Sequence, residues 1–414
     1  MSIANIRDSG DNANSGDNAN SRDNAGTATF ATEQFWKSES NHWLLNPRLN
    51  ESASKAYLAA WKQLVLPQSK SLVGIATSGS SGKMGRLILL QKEALLVNAR
   101  AANERLQSTR HDIWLRTLPI YHVGGLQIGA RAYLAGSQLR ESKLEKWNPE
   151  AFYQELLDSR ATLLSLVPTQ LFDLVKLGLS CPKTLRAIIV GGARLESELH
   201  RAARALNWPA LPSYGMTECG SQVATAHAPG DDPRLFPLSH VELRVGQDEC
   251  LEIKSAGLLL AQISFSEQGA AALDDPKRDG WFKTEDRVCL EADGSMTILG
   301  RVQEFIKIGG EGVLLSRLEE LFERLKLQLK YPHDASILAA KDERLGAKLV
   351  LLTNSKSLAT DSLVEAFHAQ VMPFERVRSS YTVPLIPRSA LGKLLRMEAL
   401  QLVGLEPPAN VERN

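Results

Sequence analysis

From Leu72 to Ser213 the chain repeats one unit: a short apolar run, then a stretch of helical periodicity, then another apolar run. Strands that read as unbroken apolar runs are buried on both faces, as a mostly parallel sheet flanked by helices requires. The pattern predicts strands over Leu72–Ala76, Leu87–Leu90, Ile113–Leu118, Leu163–Val167, Leu185–Val190 and Leu211–Ser213. It predicts helices over Lys92–Arg105, Gly125–Leu134, Pro149–Leu157, Thr169–Leu177 and Glu196–Leu206. Sheets of this α/β type bind ligands beyond the carboxyl ends of their strands. The glycine turns at Gly79, Gly124-Gly125 and Gly191-Gly192 each follow such a strand, so they are candidates to converge there.

Beyond Met216 the texture changes. Short strands and turns dominate from His240 to Leu299, as in an antiparallel or barrel-like subdomain, and Gly300-Arg301-Val302-Gln303 leads into a smaller α+β unit. That unit is expected to hold a helix Leu315–Leu325, strands Ser336–Ala340 and Lys348–Leu352, and a helix Ser362–Val371. The first 28 residues, with DNANSGDNANSRDNAG, are too poor in apolar side chains to offset the entropy of ordering, and they lack the apolar segment of a secretory signal. The expected division is a disordered tail over 1–28, an N-terminal domain over 29–302 and a C-terminal domain over 303–414, in line with about 150 residues per domain for a chain of 414.

A net charge of +1 provides no general attraction to nucleic acid or an anionic membrane, and no stretch approaches the ~18 unbroken apolar residues of a membrane span. Cys181, Cys219, Cys250 and Cys289 are far apart with no C-x-x-C pair, which argues against structural zinc and a disulfide scaffold and fits a reducing cytoplasm.

The candidate chemistry sits in five clusters. Thr77-Ser78-Gly79-Ser80-Ser81-Gly82-Lys83 combines hydroxyls, close-approach glycines and one cation, a composition suited to phosphate, although a polar turn has the same make-up. A Walker A loop would need Gly at 77 and Ser or Thr at 84, where this chain has Thr77 and Met84. In Ser213-Tyr214-Gly215-Met216-Thr217-Glu218, Thr217 could contact phosphate and Glu218 could hold Mg²⁺; an acidic first helical turn is the plain alternative. Asp286 and Arg301 could bind a ribose diol, or form an ordinary surface pair beside a turn at Asp279-Gly280. Gly309 and Gly310 allow close backbone approach to a ligand, and Lys393 ends a glycine-containing turn that matters only if it reaches the phosphates.

Taken in order, these clusters resemble the adenylate-forming superfamily of acyl-CoA synthetases, adenylation domains and luciferases. The matching stretches are TSGSSGK at 77–83, LPIYHVGGL at 118–126, VGGARL at 190–195, YGMTECG at 214–220, DGWFKTED at 279–286, GRVQEFIKIGGEGV at 300–313 and PRSALGK at 387–393. YHVGGL, SLVPTQL at 165–171 and GGEG at 309–312 are most similar to the o-succinylbenzoate–CoA ligase branch of menaquinone synthesis. The alternatives are an aryl or fatty acid–CoA ligase of the same superfamily, and a catalytically weakened nucleotide-binding relative.

The resemblance implies a large N-terminal domain of parallel-type sheets with a β-rich subdomain, followed by a small mobile lid. ATP, Mg²⁺ and coenzyme A are the implied cofactor and cosubstrates, and a small carboxylic acid the implied partner. It assigns Thr77, Ser78, Gly79, Ser80, Ser81, Gly82 and Lys83 to the β- and γ-phosphates, and Gly191, Gly192, Ala193, Ser213, Tyr214 and Gly215 to the adenine and acyl pocket. Thr217 would touch the α-phosphate, Glu218 would ligate Mg²⁺, Asp286 and Arg301 would hold the ribose, and His122 would wall the acid pocket. Lys393 would be the adenylation lysine; Gly309 and Gly310 would border a pantetheine channel too narrow for side chains. The chain departs from the family in two places. Met84, Gly85 and Arg86 stand where Pro, Lys and Gly are usual, displacing one cation by a position, and Gln303 stands at the usual hinge aspartate. The N-terminal subdomain is reduced, leaving a side that a partner chain, a second copy included, could cover; the sequence does not set the oligomeric state.

Overall fold

The computed structural model describes residues 32–408, apart from 48, 50, 66–67, 78–84, 231, 248, 267–268, 302–304, 390–391 and 393. The expected tail over 1–28, the loop residues Ser78 to Lys83, the segment with Gln303, and Lys393 therefore lie outside the described residues.

The parallel sheet is present and is built from the predicted runs. Strands β4 (Ile113–Arg116), β5 (Gln138–Glu141), β6 (Leu163–Leu166), β7 (Ala187–Val190) and β8 (Ala210–Met216) lie parallel in the order β5-β4-β6-β7-β8. Both β6 and β7 are buried along their whole length, which is why neither shows a polar alternation. After β8 the chain reverses: β9 (Ser221–Thr225) and β10 (Phe236–Pro237) extend the sheet antiparallel. The crossover helices are Val123–Ala135, Pro149–Ser159, Pro168–Lys176 and Ser197–Ala205. Local chemistry fixes their ends. The Asn148 side chain accepts from the Ala151 N–H ahead of Pro149, and Gly136 closes the preceding helix at φ 64°.

Two predicted strands belong elsewhere. Leu72–Ala76 (β2) and Leu87–Gln91 (β3) pair antiparallel with each other, in a second sheet ordered β1-β2-β3-β13-β14 with β1 (His42–Leu44), β13 (Ala261–Phe265) and β14 (Ala271–Asp274). The phosphate-type sequence thus connects the two strands of an antiparallel pair. Its two stems are locked: the Thr77 N–H donates to the Arg86 carbonyl at 2.8 Å, and the Arg86 N–H donates to Thr77 Oγ1 at 3.1 Å. Helix Glu51–Leu64 covers this sheet closely enough that a Cβ on Gly74 would lie 2.5 Å from the Trp61 ring.

A third sheet, β11 (Glu242–Val245), β12 (Cys250–Lys254), β15 (Phe282–Leu290) and β16 (Met296–Arg301), is antiparallel throughout, as the texture after Met216 suggested. Val73, Ile88, Leu126, Val223, Ile253 and Phe282 share one buried cluster, so the three sheets close on a common core. From Ile306 onward the clusters are separate. The hairpin β17 (Phe305–Ile308) and β18 (Glu311–Leu314), helices Leu315–Gln328 and Leu358–His368, and the sheet β19 (Ala335–Asp342), β20 (Gly346–Thr353) and β21 (Val377–Thr382) bury their apolar faces on one another. Among the described residues no helix is long and apolar enough to cross a membrane.

Candidate active site

The carboxyl end of β8 is the centre of the arrangement. Its residues Ser213, Tyr214, Gly215 and Met216 run into a single 3₁₀ turn, Thr217–Cys219, before β9 returns alongside. A Cβ at Gly215 would lie 1.9 Å from the Ser221 carbonyl oxygen, so only glycine lets the two strands approach there. Beside it, a Cβ on Gly191 would stand 3.4 Å from the Ser213 carbonyl, and Gly192 takes φ 83°. The VGG turn after β7 and the SYG segment of β8 therefore form one wall, with Ala193 next along the chain.

Tyr214 reaches out of this wall to the third sheet. Its hydroxyl donates to Asp286 Oδ2 at 2.6 Å, across 72 residues of sequence, while Arg301 Nε donates to Asp286 Oδ1 at 3.0 Å. Asp286 and Arg301 are register partners on β15 and β16, so the plain surface pair gives way to a carboxylate only 8% exposed and held from both sides. Burial, then the Asp286 charge, pushes the Tyr214 phenol well above its usual range, which keeps it protonated as a donor.

Glu218 is buried in the 3₁₀ turn, its carbonyl taken by the Leu259 N–H at 2.7 Å. Its carboxylate faces Arg86, the residue before β3, with Nη2 to Oε1 3.5 Å. The Arg86 stem of the hairpin and the Glu218 turn, on different sheets, are thus brought together. Among the described residues no three His, Cys, Asp or Glu side chains form a self-sufficient metal site. A lone carboxylate matched by an exchangeable cation instead suits Mg²⁺, which takes one or two protein carboxylates and completes its shell with phosphate and water.

His122 caps the helix Val123–Ala135, and burial pulls its imidazole down to about 4, leaving it neutral near pH 7. The turn before it is fixed by Gly125, where a Cβ would stand 2.2 Å from the Pro119 carbonyl oxygen. Further along this helix is a residue that the sequence pattern could not aim. Arg131 is 1% exposed; its Nη1 lies 3.5 Å from Ser165 Oγ, its guanidinium lies 5.7 Å from the Trp114 ring centre, and its Nε has no partner among the described residues. The only available sequence signal is a single cation in the otherwise uncharged run VGGLQIGARAYLAG.

Gly392, in the Pro387–Lys393 segment, packs on the N-terminal unit. A Cβ on Gly392, at φ 76°, would lie 2.6 Å from Thr169 Oγ1, at the start of helix Pro168–Lys176. Arg388 anchors the base of the turn, donating to Asp334 Oδ1 at 2.8 Å, Ser336 Oγ at 2.9 Å and the Gly392 carbonyl at 3.3 Å. Gly309 and Gly310 turn the β17–β18 hairpin at φ 63° and 90°, and a Cβ on Gly310 would meet nothing within 4 Å.

Arg194, after the VGG turn, pairs with Glu320 of helix Leu315–Gln328. Beside this pair Glu196 is pushed up to about 7, by burial first and then by Glu320, with Glu323 adding to the rise and Arg194 and Arg324 opposing it. Glu320 and Glu323 of the C-terminal unit add to the rise, and the part of the Glu196 contribution that they supply is fully present below about 4.5 and is lost as pH rises through about 7. Small-angle scattering should therefore show the particle expanding across this window, and Glu196→Gln should flatten the change. An unchanged radius in the parent chain would remove Glu196 from the contact.

The family model described as AMP-binding enzyme matches residues 23–261. A 2-succinylbenzoate–CoA ligase of Bacillus cytotoxicus is 25% identical over 365 residues, covering 85% of this chain and 74% of the relative. The enzyme of the same name from Staphylococcus epidermidis strain RP62A is 28% identical over 316 residues, covering 73% of this chain and 64% of its own length. Among solved structures, the o-succinylbenzoate CoA synthetase of Bacillus subtilis in complex with the acyl-adenylate intermediate superposes with a TM-score of 0.70 at 20% identity, over 86% of this chain and 82% of that one.

Proposed function

The chain belongs to the family of AMP-binding enzymes, and from that premise we propose that it is an ATP-dependent acid–CoA ligase acting on o-succinylbenzoate. A carboxylate oxygen of the acid attacks the α-phosphorus of ATP, forming the acyl adenylate as the bond to the departing pyrophosphate breaks. The CoA thiol, giving up its proton, then attacks the acyl carbon and releases AMP.

Each cluster has a part in this reading. Asp286, fixed by Tyr214 and Arg301, presents carboxylate oxygen to the ribose diol, while Gly191, Gly192, Ala193, Ser213 and Gly215 line the adenine side. Thr77 and the loop to Lys83 hold the β- and γ-phosphates, and Thr217 contacts the α-phosphate. Glu218 would hold Mg²⁺, which when bound neutralises charge on the triphosphate. Neutral His122 walls the acid pocket as a hydrogen-bonding group and carries no charge there. Lys393 bridges the acyl carboxylate and α-phosphate as negative charge builds, a preorganised cation acting mainly on the transition state. The 303–414 unit serves as the lid that carries it and later brings the Gly309–Gly310 turn toward CoA. Arg131 supplies the cation for the second carboxylate of the substrate. Free cysteines throughout suit a cytoplasmic setting.

The observation that carries the proposal is the bonding of Tyr214, Asp286 and Arg301 into one cluster, next to the Arg86–Glu218 pair. Purified protein supplied with ATP, Mg²⁺, CoA and a panel of acids should release AMP fastest with o-succinylbenzoate. No release with that acid, alongside turnover of another aromatic or a fatty acid, would overturn the substrate.

A further inference from the structure

Arg86 stands one position beyond the family's usual second loop cation, and the structure explains the displacement. Gly85 is buried, with its carbonyl accepting the Tyr57 hydroxyl of helix Glu51–Leu64 at 2.8 Å, so a lysine there would start from a buried position. The next side chain, Arg86, is 48% exposed and turns toward the site. Its guanidinium divides between two acceptors: Nη2 lies 3.5 Å from Glu218 Oε1, and Nη1 donates to Gln262 Oε1 at 3.3 Å. Gln262 is oriented in turn, its Nε2 donating to Asp274 Oδ2 at 3.0 Å, and Ser264 Oγ donates to Asp274 Oδ1 at 3.2 Å. The backbone of Arg86 is fixed by Thr77, so its stem is rigid while its head is held by two long bonds.

Ion pairs of this length and exposure are weak and exchangeable. A guanidinium is also the side chain best shaped to meet phosphate oxygens in pairs. We propose that Arg86 is a two-position cation: without nucleotide it occupies Glu218 in place of a divalent metal, and with ATP it moves to the β- and γ-phosphates and leaves Glu218 to Mg²⁺. Gln262 and Asp274 steady the resting position. This rests on the adenylation reading and adds to it an order of events in which ATP and metal are bound as a coupled pair.

The two positions give opposite signs on removal, which simple damage to the fold does not. Arg86→Ala is expected to weaken ATP binding in the presence of Mg²⁺ by about tenfold or more, because a phosphate contact is lost, about 1.4 kcal/mol by affinity arithmetic. The same variant is expected to bind Mn²⁺ alone about threefold more tightly, because Glu218 is no longer neutralised. Arg86→Lys, which keeps the charge without the fork, should fall between parent and alanine on both scales. Titration calorimetry with MgATP and, separately, with Mn²⁺ in the absence of nucleotide measures both. If both affinities fall together, or if neither moves, the two-position role is wrong. If the parent chain itself fails to bind MgATP, the adenylation reading falls, and this inference falls with it.

Discussion

Replacing Arg131 by methionine is expected to raise the melting temperature and at the same time to remove most of the turnover with o-succinylbenzoate. Arg131 is 1% exposed, and no carboxylate among the described residues pairs with it. Burial draws its pKa down to about 9, yet it remains a cation at neutral pH. Taking an ammonium- or guanidinium-sized charge out of water costs several kcal/mol, and a hydroxyl at 3.5 Å with an aromatic face offsets only part of that. Methionine fills similar volume without the charge, and such replacements commonly gain about 1–4 kcal/mol. A folded chain that retains this cost has use for the charge. The guanidinium faces Ser165 of the SLVPTQL segment, on the helix capped by His122, where the second carboxylate of a dianionic acid would complete the pair. Loss of a partner to a buried charge costs roughly 2–5 kcal/mol, so kcat/KM for this acid should fall by about 10²-fold while ATP affinity holds. Thermal melts and AMP release measure the two effects. A lower melting temperature with an unchanged KM would show that Arg131 is structural.

The second large effect belongs to Lys393. Lys393→Ala is expected to slow acyl-adenylate formation by about 10²–10³-fold, the usual cost of deleting one preorganised charge-stabilising donor. Thiolation of a supplied acyl adenylate should proceed at close to the parent rate, because on the proposed function the lid has already carried Lys393 away when the thiol attacks. The structural support is in the residues around it. Arg388 ties the turn to Asp334 and Ser336, and Gly392 packs on Thr169, which bounds the same site as β6 and helix Val123–Ala135. Equal loss in the two half-reactions would contradict this division.

The parallel sheet was legible because β6 and β7 are buried on both faces and so read as unbroken apolar runs. The same reasoning misplaced β2 and β3, whose runs are as apolar but lie in an antiparallel hairpin; an apolar run reports burial and not its neighbour. The elements before Leu72, helices Glu33–Lys37 and Glu51–Leu64 with β1, carry mixed periodicities that became clear only through Gly74 and Trp61 in contact. At the site, motif order named Glu218 and offered Asp286 and Arg301 as a pair. The bond from Tyr214 to that pair depended on how the sheets meet, which no local pattern encodes. Arg86 showed in the sequence only as a displaced cation and Arg131 only as a cation that could not be aimed, since a cation's role is set by which acceptors the fold leaves near it.

Arg301 ends β16 and is the last described residue before segment 302–304, beyond which the separate apolar clusters begin. The residue that grips Asp286 is thus covalently adjacent to the pivot we assign to the lid. On the proposed function, a swing of the 303–414 unit would bear first on Arg301 and through it on Asp286, so its motion and the departure of AMP would share a lever.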